Sequence, residues 1–281
     1  MSLFAVSLTL PTFGESFIVK DGNAHAQIVI PKQPPRTTQV AARDLQTYIE
    51  KISGAKLQIA KEPSDGVPVQ VYVGTSDHTR RLGVTDKNLK YGAYRMVSGE
   101  NWLALVGHDE NFIPTEPWPR GPRDIRSGRI FEAWDQVSGG TWGLPAPIHH
   151  IYKAYAGNAS HFEPEQEQGA SQNGGEPVTL WQYDARGSYN AVCAFLRRLG
   201  VRWYMPGELG EIVPTRQTIE VPTVNETVHP DVAIRQFNNN FRLGPPSLNK
   251  WEMRLGMRQS WSIDIAHGMR QMLQRKPIQQ A

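Results

Sequence analysis

The chain has 281 residues, 30 Lys and Arg against 27 Asp and Glu, and a mean hydropathy of −0.47. That composition suits a globular protein with ample sequence for a buried core, and no apolar run approaches the ~20 residues of a membrane-spanning helix. The net charge of +3 is spread without a Lys/Arg block, so neither a nucleic-acid nor a membrane partner is expected. The single cysteine, Cys193, excludes an internal disulfide and a multi-cysteine metal site.

The first residues, with Leu3 to Leu10 apolar and Pro11 after them, read as the tail of a secretory signal over 1–16, without a charged leading region. Phe17 to Lys20 and Ala26 to Ile30 flank Asp21-Gly22, the pattern of a β-hairpin. Thr37 or Thr38 is placed to cap a helix running to Ile52, with Ala41, Leu45, Tyr48, Ile49 and Ile52 on one face and Gly54 closing it. Strands are expected at Lys56–Ala60 and Val69–Val73, followed by a strand-to-helix turn at Gly74-Thr75-Ser76. Tyr94–Val97 and Trp102–Gly107 form a second hairpin candidate. Strand pairs with a helix between them predict an α/β fold, a mixed sheet covered by helices on at least one face.

Residues 108–178 lose this periodicity. Gly and Pro are frequent, and Glu163 to Gly175 reads as flexible and solvated. Trp118, Trp134 and Trp142 stand near His149, His150 and Tyr152. A flat apolar ring with a polar edge suits a sugar, which makes Trp134 and Trp142 candidate carbohydrate contacts; the competing reading folds them into a satellite core. The adjacent histidines have no spaced Asp, Glu or His partner, so no metal is expected.

The stretch from Asp184 to Glu211, DARGSYNAVCAFLRRLGVRWYMPGELGE, combines a turn, a helix with Tyr189, Val192, Cys193, Leu196 and Leu199 on one stripe, a Gly200 stop, and a short strand ended by Pro206-Gly207. Ile212–Pro214 and Gln217–Val221 follow as an edge strand or linker, and residues 223–230 as the boundary. Val232 to Phe237 reads as a new strand, and Trp251 to Leu255 with Trp261 to Leu273 as helical, interrupted near Gly256.

The 184–211 stretch, with AARDLQTYIEKISGAKL (41–57) and VYVGTS (71–76) upstream, resembles the small α/β domain that precedes the catalytic barrel in family 20 β-hexosaminidases, family 67 α-glucuronidases and related bacterial polysaccharide-degradation proteins. The matches span most of 17–222. The resemblance implies a hexosaminidase-like α/β domain interrupted by an insertion at 108–178, and then the truncated start of a (β/α)₈ barrel over 231–281. It implies glycosyl hydrolysis in polysaccharide metabolism, with an oligosaccharide or polysaccharide partner and a periplasmic or extracellular location.

In that family the catalytic acids come from later barrel strands, so this stretch alone is expected to be silent, its partner a C-terminal catalytic barrel. An Arg on the first barrel strand binds sugar hydroxyls in the hexosaminidases, in the pattern R-G-x-x-x-D. Arg235 matches the Arg, Gln236 replaces the Gly, and Asn240 replaces the Asp, which leaves an amino-sugar substrate open. His267 is a second position at the expected barrel mouth. Neither H-E-x-x-H, G-x-S-x-G nor G-x-G-x-x-G occurs, and no cofactor is expected. A free-standing carbohydrate-binding or scaffold module using the tryptophans is the alternative.

Overall fold

The computed structural model describes residues 16–111, 184–235 and 246–257. Chain order begins with β1 (Phe17–Lys20) and β2 (Asn23–Ala24), joined by Asp21 and Gly22, whose positive φ values of 48° and 76° make a tight two-residue turn. The ladder of β2 stops there. The chain leaves at His25, and β3 (Ala26–Val29) enters a different sheet, so the expected hairpin between 17–20 and 26–30 is only its first half. The physical reason is burial. All four residues of β3 are buried, whereas both residues of β2 are exposed.

Helix α1 (Arg36–Ser53) follows, with Ala41, Leu45, Tyr48, Ile49 and Ile52 buried on the predicted stripe and Gly54 in the left-handed C-terminal position. Its N-cap is Pro35, and neither threonine caps it. Thr37 and Thr38 send their hydroxyls to the Ala185 carbonyl (3.2 Å) and to Asp109 Oδ2 (2.8 Å) instead. β4 (Gln58–Ala60) and β5 (Val69–Val73) pair with opposite sides of β3, both parallel to it. The short helix α2 (Asp77–Arg81) opens with a reciprocal cap between Ser76 and Thr79. β6 (Tyr94–Gly99) and β7 (Trp102–Gly107) form the predicted hairpin, and β7 runs parallel to β5.

Two-residue strands β8 (Asp109–Glu110) and β9 (Ala185–Arg186) pair antiparallel and lead into α3 (Gly187–Arg198). β10 (Arg202–Trp203) pairs with β11 (Glu211–Ile212) across a single 3₁₀ turn (Glu208–Gly210). β12 (Ile219–Glu220) pairs with β1. β13 (Asn225–Val228) lies within the stretch expected as a linker and adds antiparallel to β6. Helix α4 (Pro246–Arg254) ends the described chain, near the predicted break at Gly256.

The main sheet therefore has the order β13-β6-β7-β5-β3-β4, mixed in direction. Strand alternation gives it two apolar faces. Ile28, Val71, Val73, Met96, Leu103 and Leu105 face the large core with α1 and α3, while Val29, Tyr72, Ala104 and Val106 form a smaller cluster with Val84. The large core carries most of the apolar burial, at roughly 1.5–3 kcal/mol for each fully buried large side chain. α3 is buried beyond its predicted stripe: Ala191, Ala194 and Phe195 are buried as well, because α1, β7 and α4 all pack on it. Gly187 permits this. A Cβ there would lie 2.7 Å from Gly107 Cα and 2.5 Å from His108 N, so α3 can touch the end of β7 only as glycine.

Candidate functional site

Arg235 is the one expected sugar contact among the described residues; Asn240, His267, Trp134 and Trp142 lie outside them. Residues 232–234 are not strand, and Arg235 occupies an isolated bridge. Its guanidinium donates from Nε to the Gly256 carbonyl (2.9 Å), from Nη1 to Val232 (2.7 Å) and from Nη2 to Tyr91 (3.0 Å). A planar fork of donors is thus spent on three backbone carbonyls, joining the α/β unit to the segment after α4. The contacts are backbone hydrogen bonds, and they cross the expected domain boundary.

A second cluster lies between α1, α3, β10–β11 and α4, and it collects residues from both long motifs. Asp44, buried, accepts from the Tyr189 hydroxyl at 2.8 Å and lies 3.3 Å from Lys250 Nζ. Glu211 accepts from the Tyr48 hydroxyl, and its other oxygen lies 2.8 Å from Lys51 Nζ. Trp203 Nε1 donates to Tyr48 Oη at 2.8 Å. Arg254 stands between the two carboxylates, Nη1 3.5 Å from Glu211 Oε1 and Nε 3.8 Å from Asp44 Oδ2, the latter an ion pair beyond hydrogen-bond reach.

Burial pushes the Glu211 carboxyl above its usual range, with Arg254 pulling the other way. Burial also works against the Arg254 charge, but Asp44, Tyr189 and Glu211 outweigh it and hold the guanidinium above its usual value. Burial, then Arg254, lowers Lys51. Two carboxylates in one cluster invite comparison with a glycosidase pair. Here each is occupied by a phenol and at least one cation, so the cluster binds the protein to itself rather than flanking a substrate bond.

The third cluster sits at the C-terminal ends of the parallel strands, where open α/β sheets commonly bind ligands. Loops after β3 and β5 diverge there, one into α1 on the large-core face and the other into α2. Asp109 is enclosed, accepting from Ser188 N (2.9 Å) and Thr38 Oγ1 (2.8 Å), and burial raises its carboxyl to about 6 against those bonds. His108 beside it reaches Asp86 (3.2 Å) and Glu110 (3.3 Å); burial lowers its pKa, but these carboxylates outweigh burial and raise it overall. Arg36 binds Asp184 through two 2.7 Å bonds and gives its backbone N–H to Asn111 Oδ1 at 3.0 Å. Both chain ends that flank 112–183 are therefore fastened at the start of α1.

Cys193 is buried on the α3 stripe with its thiol pushed up to about 12 by burial, as a small core residue would be. Among the described residues, no group of three or more His, Cys, Asp or Glu is placed to hold a metal ion, and no helix is long and apolar enough to cross a membrane. Sequence reasoning passed over Arg36, Asp109 and Arg254, which have no motif of their own. Asp44, Asp184 and Glu211 stood in the quoted motifs, and that was the available signal.

No protein-family model matches the chain, and the search of curated proteins finds no match.

Proposed function

We propose that this chain is the N-terminal, hexosaminidase-like α/β domain of a glycoside hydrolase, followed by the first part of its (β/α)₈ barrel. It handles oligosaccharide or polysaccharide outside the cytoplasm, and its barrel supplies the catalytic acids. The observation that supports an accessory role best is the use made of the motif carboxylates. Asp44, Asp184 and Glu211 are each neutralised inside the fold by Lys or Arg, which leaves none of them available as a general acid or base. Arg235, its guanidinium held by the Gly256, Val232 and Tyr91 carbonyls, would serve a sugar site by holding the segment after the α/β unit in place, with Asn240 and His267 as the candidate contacts.

Reducing-sugar release from a panel of polysaccharides tests this reading. The chain alone is expected to release none, and a polypeptide carrying it ahead of a complete barrel to release sugar at a rate cut at least tenfold, on the order of 1.4 kcal/mol, by Arg235→Ala.

One observation favours a second reading, a binding module. The stretch carrying Trp134 and Trp142 enters and leaves at the C-terminal edge of the parallel strands, through the β8–β9 pair. Affinity electrophoresis in polysaccharide gels separates the two: a module predicts retardation abolished by Trp134→Ala with Trp142→Ala and retained by Arg235→Ala.

A further inference from the structure

Among the described side chains of 250–257, Met253 joins the large core and Trp251 packs against it. The polar contacts converge more strongly. Lys250 and Arg254, four residues apart and so on one helix face, meet Asp44 and Glu211 of the α/β unit. The Arg254 guanidinium also lies over the rings of Tyr48 (5.2 Å) and Trp203 (5.5 Å). Trp251 Nε1 donates to the Trp203 carbonyl at 3.0 Å, and Arg197 Nη1 to the Arg254 carbonyl at 3.0 Å.

The receiving surface is held by the α/β unit itself. Tyr189 fixes Asp44, and Tyr48, Trp203 and Lys51 fix Glu211, all from α1, α3 and β10. Apart from Met253, the buried residues of the large core all come from the α/β unit, most of them from the sheet, α1 and α3. We propose that Asp44 and Glu211 form a preformed receptor for a helix presenting Lys and Arg one turn apart, and that α4 is a detachable strap latched on it by Arg254. Release of the strap carries away the Gly256 carbonyl, which anchors Arg235 against Tyr91. Arg254 is thus a positioning residue for the 232–257 segment. This inference concerns docking within the chain and does not depend on the glycan reading.

The test is hydrogen exchange of the intact chain, read by peptide. Arg254→Met is expected to raise exchange over 246–257 about tenfold or more, because the buried carboxylates lose their shared cation, while α1, α3, β5 and β7 stay within about twofold of the parent. Glu211→Gln should act in the same direction from the receptor side, and Arg254→Lys should restore part of the protection by keeping the charge without the fork. Unchanged exchange over 246–257 in Arg254→Met would overturn the proposal, since Met253 and Trp251 would then suffice. Equal loosening of α1 and α3 in Arg254→Met or in the milder Glu211→Gln would overturn it too, since the cluster would then be part of one indivisible core.

Discussion

Arg36 grips Asp184 in a fork of two 2.7 Å bonds although 148 positions separate them in the chain. The Asp184 side chain has no exposed surface and that of Arg36 only 20%, so this is a largely dehydrated pair at the first turn of α1. Removing one partner of such a pair leaves the other charge buried. Arg36→Ala is therefore expected to destabilise the fold by about 3 kcal/mol, and Arg36→Lys by less, in urea or guanidinium denaturation.

The same fork, with the Arg36 N–H to Asn111, brings together the ends of the 112–183 stretch. β8 and β9 already pair antiparallel, with Glu110 opposite Ala185. Joining Asn111 to Asp184 by a short Gly-containing turn should preserve the α/β fold, since the result is a tight hairpin. Circular dichroism and cooperative melting check this, and loss of a cooperative transition would show that 112–183 is needed for the core.

Asp109 gives the fold a pH dependence of unusual sign for a carboxylate. Its folded pKa is raised to about 6 by burial, against about 3.9 unfolded, so the folded state holds the proton more tightly. Its stabilising contribution is full below about pH 4 and is lost as pH rises through about 6, by roughly 3 kcal/mol in total. In Asp109→Asn that loss disappears. Relative to the parent, the variant should gain stability between about pH 4 and pH 7, measured by chemical denaturation at each pH.

Two glycines separate steric from conformational cost. Gly187→Ala forces a Cβ to within 2.8 Å of the Ala93 carbonyl and closer to Gly107 and His108, all backbone, and is expected to cost 3 kcal/mol or more, of order ~10²-fold in the folding constant. Gly54 has φ +80° and ψ −10°, the left-handed region, with nothing within 4 Å of an added Cβ. Gly54→Ala should cost only about 1 kcal/mol, the strain of a left-handed backbone. Melting curves of the two variants test the contrast.

Periodicity carried the readable part of the fold. The α1 and α3 stripes, the β6–β7 hairpin and the covering of one sheet face by α1 and α3 follow from local spacing. Partner choice did not. The Asp21-Gly22 turn was legible, but nothing local shows that β3 leaves its hairpin for a buried position between β4 and β5. Thr37 and Thr38 have the chemistry of caps, and their hydroxyls are drawn away by Ala185 and Asp109, partners remote in sequence. Arg254 stands in no motif of the sequence. Its role emerges only when Asp44 and Glu211 are brought to it by two different elements, α1 and β11.

The most direct test of the accessory-domain account compares reducing-sugar release by this chain and by a polypeptide that carries it ahead of a complete barrel, on one polysaccharide panel. The account predicts activity with the complete barrel and none in the chain, because Asp44, Asp184 and Glu211 are held by ion pairs within the fold. Hydrolysis by the chain alone, or no hydrolysis across the whole panel with the complete barrel, would contradict it.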